Sequence, residues 1–67
     1  MSADNYVVVR EFSDGWKWAM GFASDYIERL PDEEFRHGPF VSELDAKEDA
    51  ESYCGVIEYG IRTERTE

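Results

Sequence analysis

The residues of this sequence that could do the most chemistry are the carboxylates of positions 41–55, which read VSELDAKEDAESYCG. Carboxylate oxygens are ligands that Ca²⁺ prefers. An EF-hand loop, however, alternates its oxygen ligands around a central glycine and ends on a glutamate at position twelve. No window of this sequence has that pattern. We therefore expect no specific metal site and no cofactor.

His37 and Cys54 are the only imidazole and the only thiol of the chain. Two such ligands cannot complete a zinc site, which takes four. A histidine and a cysteine could form a base and a nucleophile. Cys54, however, ends the apolar arc of a predicted helix, where a free cysteine is usually a small buried hydrophobe, and His37 falls in a predicted loop and should be solvated. We expect a protein that is not an enzyme.

Charge is the outstanding property of the chain. Sixteen acids against seven bases give a net charge of −9, and residues 25–51 alone carry −7, which leaves −2 for the rest. A surface of this sign repels nucleic acid and anionic membranes and attracts basic protein surfaces. We expect no direct contact with nucleic acid or membrane, and a basic partner protein.

Three interpretations of the acidic surface are open: solubility, adaptation to high salt, and mimicry of a nucleic acid. Carboxylates three or four residues apart on a helix lie about 5–6 Å apart, and an acidic loop could add a second row, as in a phosphate backbone. Leu44 projects onto the acidic side, either as an apolar anchor or packed under Val41 or Phe40. The candidate partner-binding residues are Asp25, Glu28, Asp32, Glu33, Glu34, Glu43, Leu44, Asp45, Glu48, Asp49 and Glu51.

Two strands and a turn account for the first third of the chain. Residues 6–12 are rich in β-branched and aromatic types, and residues 16–23 alternate large and small side chains, which is typical of strands. The Ser-Asp-Gly sequence between them suits a tight hairpin turn. The large face of the second strand, which carries Trp16, Trp18, Met20 and Phe22, should be the core.

A helix is predicted over residues 43–54. Ser42 is a good N-cap, acids in the first turn suit the helix dipole, and Gly55 is a natural stop. Ala46, Ala50, Tyr53 and Cys54 fall within one apolar arc. Residues 56–62 alternate and predict a third strand, and residues 24–41 form an acidic connection.

The predicted fold is α+β, a three-stranded antiparallel sheet with the helix on one face. Residues 1–67 make a single small domain, too short for a core together with a deep active site. The single cysteine precludes an intramolecular disulfide and favours a reducing, cytoplasmic compartment. We expect a monomer or a weak dimer.

In its length, its acidity and its acidic stretches PDEEF and ELDAKEDAES, the chain resembles the small phage-encoded inhibitors of the anti-CRISPR type. The resemblance implies an inhibitor whose acidic surface occupies the DNA-binding surface of a CRISPR effector, such as a Cascade-type subunit, in the cytoplasm of the host cell. The alternative is a small adaptor or accessory domain that binds a partner through its sheet, with the charge serving solubility or salt adaptation.

Overall fold

A computed structural model describes residues 4–25 and 28–65 of the chain. It contains four strands and one helix, together with short 3₁₀ turns at Ala23–Asp25 and Asp32–Glu34. The strands form one sheet in the order β3-β2-β1-β4. Their bounds are β1 Asn5–Phe12, β2 Gly15–Phe22, β3 His37–Phe40 and β4 Ile61–Glu64, and helix α1 spans Glu43–Cys54.

The predicted hairpin is confirmed. Strands β1 and β2 pair antiparallel from Asn5 opposite Phe22 to Phe12 opposite Gly15. Gly15 has a φ of +138°, a conformation that side chains rarely adopt, and an added Cβ would lie 2.8 Å from the Phe40 carbonyl oxygen. The turn and the neighbouring strand therefore both require glycine at this position.

The predicted three-stranded antiparallel sheet is wrong, because the sheet has four strands and is mixed. The additional strand, β3, lies inside the segment that we expected to be an acidic connection over residues 24–41. Its sequence, His-Gly-Pro-Phe, contains no β-branched residue and includes a proline, which sheets tolerate at an edge. Strand β3 is an edge strand, paired with β2.

Helix α1 determines the direction of the last strand. It connects β3 at one edge of the sheet to β4 at the other, a distance of three strand spacings or about 14 Å. Twelve residues of helix extend about 18 Å, so the helix returns the chain to the end of the sheet where β3 began. Strand β4 therefore runs parallel to β1, with Val7 opposite Ile61.

The predicted third strand at residues 56–62 begins too early, because the buried side chain of Asn5 holds that segment in a turn. The Asn5 amide nitrogen donates to the Val56 carbonyl at 3.0 Å, and its amide oxygen accepts from the Glu58 N–H at 3.0 Å. Gly60 follows with a φ of +81°. The strand can begin only at Ile61.

The predicted helix boundaries are confirmed. The Ser42 hydroxyl accepts a hydrogen bond from the Asp45 N–H at 3.1 Å, and Gly55 ends the helix with a φ of +74°. This helix is too short and too polar to cross a membrane, and the described residues contain no other helix that could cross one.

Both faces of the sheet are covered, whereas we expected the helix to cover one. On the first face Val7, Val9 and Trp18 pack against Ala46 and Ala50. On the second face Val8 and Ala19 pack against Leu30 and Phe35, which come from the connection. As a result, Val7, Val8 and Val9 are all fully buried.

The large face of β2 is only partly core. Trp18 is buried and Trp16 is half-buried, but Met20 and Phe22 are exposed. Trp18 belongs to the core cluster under the helix and Trp16 packs against it, whereas Met20 meets the helix at its last residue, Cys54.

Candidate partner-binding surface

The solvent side of α1 carries a row of free acids. Asp45, Glu48 and Glu51 lie three residues apart, so they follow one another along the helix surface. All three are exposed, and within the described parts of the chain none has an ion-pair partner. Together with Leu44, these residues form what we call the helix face.

Leu44 is an exposed apolar residue among these acids. Its exposed fraction is 61%, and that of Val41 is 93%. Packing of Leu44 under Val41 or Phe40, one of our two expectations, is therefore wrong. The helix face combines negative charge with an accessible aliphatic side chain.

Glu43, also a predicted contact residue, is occupied within the fold. Its carboxylate accepts hydrogen bonds from the Thr63 hydroxyl at 3.0 Å and from Arg65 at 2.6 Å, and it lies 2.8 Å from the Lys47 amine. The hydrogen bonds to Lys47 and Thr63 and the charge of Arg65 lower the pKa of Glu43 below its ordinary value. Glu43 joins the start of the helix to β4 and offers a partner little free charge.

Asp49 has a structural role as well. Its carboxylate accepts a hydrogen bond from the indole N–H of buried Trp18 at 2.9 Å. The Trp18 ring also stacks on His37 at 4.0 Å between centroids and meets the edge of Tyr53 at 5.5 Å. Asp49 therefore fixes the core tryptophan, and it is half-buried.

The acids of the connection form a second row. Glu28, Glu33 and Glu34 are exposed and have no ion-pair partner in the described part of the chain, whereas Asp32 pairs with Arg10 at 2.9 Å. We call Glu28, Asp32, Glu33 and Glu34 the connection row. Asp25 ends a 3₁₀ turn, and its side chain lies outside the described residues.

The two acidic rows lie over opposite faces of the sheet. The helix packs on the face that carries Val7 and Val9, whereas Leu30 and Phe35 of the connection pack on the face that carries Val8. Because successive residues of a strand point to opposite faces, the sheet separates the rows. The acids therefore cover both broad sides of the molecule.

Six of the seven bases form ion pairs with acids of the described residues, and Arg10 is the buried one. Buried Arg10 donates from Nε to Glu64 at 2.6 Å, and from one terminal nitrogen to the Leu30 carbonyl at 2.7 Å. Glu64 also meets Arg29 and Arg62. This network could not be predicted from sequence patterns, because its members lie up to 54 residues apart.

His37 and Cys54 do not form a catalytic pair with an activated thiol. His37 lies in β3 and not in a loop, is half-buried, and stacks on Trp18. The Cys54 sulfur lies 3.6 Å from that of Met20. Burial raises the pKa of the Cys54 thiol, which keeps it protonated and less nucleophilic.

Neither metal chemistry nor a charged ligand is indicated by the described side chains. No three of the His, Cys, Asp and Glu residues among them come together as a set of metal ligands. A cavity of about 340 Å³ lies beside Arg10, but its charged lining balances, with the bases Arg10, Arg29 and Arg65 and the acids Glu11, Asp32 and Glu64. The cavity offers no net charge to an ion.

Comparisons with protein-family models, with curated proteins and with solved structures find no match to this chain.

Proposed function

We propose that this protein is a non-enzymatic inhibitor whose acidic surface binds the nucleic-acid-binding surface of another protein, as anti-CRISPR proteins do to a CRISPR effector. The helix face is the main contact, and the partner is a basic surface shaped to hold a duplex. Such effectors hold their heteroduplex in a positively charged channel, through its backbone rather than its sequence. A surface that presents carboxylates in a row competes for the same lysines and arginines.

The distribution of charge carries this proposal. The ion pairs of the described residues join six bases to four acids, a group with a net charge of +2, so the remaining residues of the chain carry −11. Six of the seven bases are thus paired within the fold, and the acids of the helix face and, except for Asp32, of the connection row are left without an ion-pair partner among the described residues. The arrangement supports long-range attraction to a basic protein.

Charge alone would make a weak mimic. A duplex carries one charge per about 1.7 Å, or roughly 21 charges over 36 Å, which is the longest dimension of this protein. The whole chain carries −9, which is less than half of that, and its acids are spread over both broad sides. Apolar contact can compensate for this lower charge. Exposed Leu44 lies beside the acids of the helix face and can enter the interface with them.

Binding through a face of the sheet, the alternative function, has less support. The central strand is fully buried on both sides at Val7, Val8 and Val9. A partner would have to displace the helix or the connection to reach it. Of the sheet's apolar residues, Met20 and Phe22 at the far end of β2 remain exposed, a smaller surface than the one that carries the acids.

The test is a competition experiment with CRISPR effector complexes of the Cascade and Cas9 types and labelled target DNA. The key variant is Asp45→Lys, Glu48→Lys, Glu51→Lys, which leaves the Trp18 partner Asp49 untouched. We expect wild type to displace DNA, less effectively as salt rises, because exposed charges are screened over about 8 Å at physiological ionic strength. The triple variant should not displace it.

The matched control reverses the same number of charges on the other side of the sheet, as Glu28→Lys, Glu33→Lys, Glu34→Lys. If the helix face is the contact, this control should retain most of the inhibition, and Leu44→Ser should weaken binding without changing its salt dependence. Equal inhibition by wild type and the helix-face variant, or no displacement from any effector, would show that the acids of the helix face serve solubility.

A further inference from the structure

The two edges of the sheet differ in whether they can accept another strand. Strand β3, at one edge, contains Pro39, which has no N–H to donate, and Gly38, which lies against the β2 backbone. Strand β4, at the other edge, contains no proline, and within the described chain it pairs only with β1. The unpaired N–H and C=O groups of such an edge can serve as a template for another strand.

The backbone of β4 presents hydrogen-bonding groups outward. The Gly60 carbonyl accepts from the Val7 N–H at 3.0 Å, so it points toward β1. Successive residues of a strand alternate the direction of these groups. The N–H and C=O of Ile61 and Thr63 consequently point away from the sheet.

The ion pairs around β4 involve more bases than acids. Arg10, Arg29, Arg62, Arg65 and Lys47 gather there around the acids Asp32, Glu43 and Glu64, which gives this region a net charge of +2. Two copies of a chain with a charge of −9 repel each other through most of their surface. Here they can meet without opposed acids.

The charges on β4 complement themselves in one arrangement. If two β4 strands pair antiparallel with Thr63 opposite Thr63, the outward groups face each other, and Arg62 of each copy lies opposite Glu64 of the other. Moving the register by two residues places Arg62 opposite Arg62, which is unfavourable. The strand is therefore self-complementary, as a symmetric dimer requires.

From these observations we infer that the protein self-associates through β4, forming a symmetric dimer with a continuous eight-stranded sheet. The two-fold axis is perpendicular to the sheet, so both helices lie on the same side. An apolar groove of about 300 Å³ at the start of β4, lined by Tyr59, Gly60 and Ile61 among others, lies at the margin of the contact. The acidic faces remain outside it.

Sedimentation equilibrium of the whole chain with a reducing agent, from about 10 µM to 1 mM, tests this inference. Thr63→Pro removes an outward N–H that β1 does not use, and it should give a monomer. Thr63→Val is the matched control, because it loses the same hydroxyl contact with Glu43 but keeps the N–H, and it should still dimerise. Arg62→Glu should weaken the dimer by placing acids opposite each other.

Salt separates this inference from the proposed function. Binding to a basic partner weakens as salt rises, whereas association of two acidic copies should strengthen because their repulsion is screened. A wild-type chain that stays monomeric to 1 mM at both low and high salt would overturn the inference. Dimerisation of Thr63→Pro equal to that of wild type would overturn it too, because the contact would then lie elsewhere.

A second measurement serves if Thr63→Pro does not fold. Amide hydrogen exchange of wild type should show protection of the Ile61 and Thr63 N–H groups that increases with protein concentration. Protection of Val7 should not change, because its N–H is already bonded to Gly60. Exchange at Ile61 and Thr63 that is fast at every concentration would count against the dimer.

Discussion

Helix α1 covers one face of the sheet with two alanines, whereas residues 28–36 cover the other face with Leu30 and Phe35 and little regular structure. A helix satisfies its own backbone hydrogen bonds, so the sheet need not contribute a polar group to it. The small side chains of the two alanines let the helix lie close to Trp18. An irregular segment leaves carbonyl groups without partners, and each one that is buried needs a donor.

Arg10 supplies that donor on the second face. Its guanidinium binds the Leu30 carbonyl and Asp32, and it lies 4.2 Å from the centre of the Phe35 ring. The first layer, which is helix α1, therefore depends on packing. The second layer, which is residues 28–36, depends on a buried cation. Irregular chain can cover a sheet as well as a helix can, provided the sheet contributes a charged hydrogen-bond donor.

Truncation of the first layer should have the largest effect. Trp18→Ala removes a side chain that is 1% exposed, and we expect a loss of about 3–5 kcal/mol in the free energy of unfolding. Urea denaturation followed by circular dichroism measures it. Phe22→Ala, at a residue 47% exposed on the same strand, is the control and should cost much less. A loss below about 1 kcal/mol for Trp18→Ala would contradict the packing assignment.

Loss of the buried cation should rank second. Arg10→Met keeps the apolar stem but leaves the Leu30 carbonyl and Glu64 without this donor, at an expected cost of about 2–3 kcal/mol. Arg62→Met removes an exposed arginine from the same Glu64 and should change stability by less than about 0.5 kcal/mol. Similar losses of unfolding free energy in the two variants would show that the second layer does not depend on the buried arginine.

Acidification should affect the second layer through Glu64. Burial raises the pKa of Glu64, but the hydrogen bond and charge of Arg10, with Arg62 and Arg29, outweigh it, and the pKa lies below the ordinary 4.5. The ionised carboxylate therefore stabilises the fold fully above about pH 4.5, and this contribution is lost as the pH falls through the lower folded-state pKa.

Urea unfolding from pH 7 to pH 3 measures this effect. Stability should decline below about pH 4.5, and the decline should be shallower in Glu64→Gln, which has no proton to take up at that position. A parallel decline in the two proteins would assign the acid sensitivity to other groups, such as Glu43, whose pKa is also lowered by its partners.

The smallest effect is expected at the margin of the first layer. Asp49→Asn removes a charge but keeps an oxygen that can accept from the Trp18 indole, so the cost should stay below about 1 kcal/mol. Asp49→Ala leaves that buried N–H without its acceptor and should cost more. Thermal denaturation of both variants gives the comparison, and equal melting temperatures would mean that the hydrogen bond contributes nothing.

The elements that the sequence predicted correctly are those set by neighbouring residues. Alternation in the hairpin and the residues Ser42 and Gly55 at the helix ends are local signals, and they located three of the five elements. Strand β3 was missed because His-Gly-Pro-Phe has no strand preference of its own and forms one only against β2. Strand β4 was misplaced because distant Asn5 holds residues 56–58.

The acids, too, differ in whether their environment is set by neighbouring or by distant residues. Composition predicted an acidic surface, but it could not tell which carboxylates were free, because that depends on partners far away in the chain. Glu43 is bound by Thr63 and Arg65, and Asp49 by Trp18.

The parallel pairing of β1 with β4 constrains how the chain reaches this fold. Val7 meets Ile61 and Arg10 meets Glu64, pairs that lie 54 residues apart. Contacts between such distant residues slow folding, because most of the chain must be ordered before they form. Until β4 arrives, the hairpin exposes one edge of a strand that contains three consecutive valines. An exposed strand edge of this kind favours aggregation, so refolding yield should depend on protein concentration even where the native state is stable.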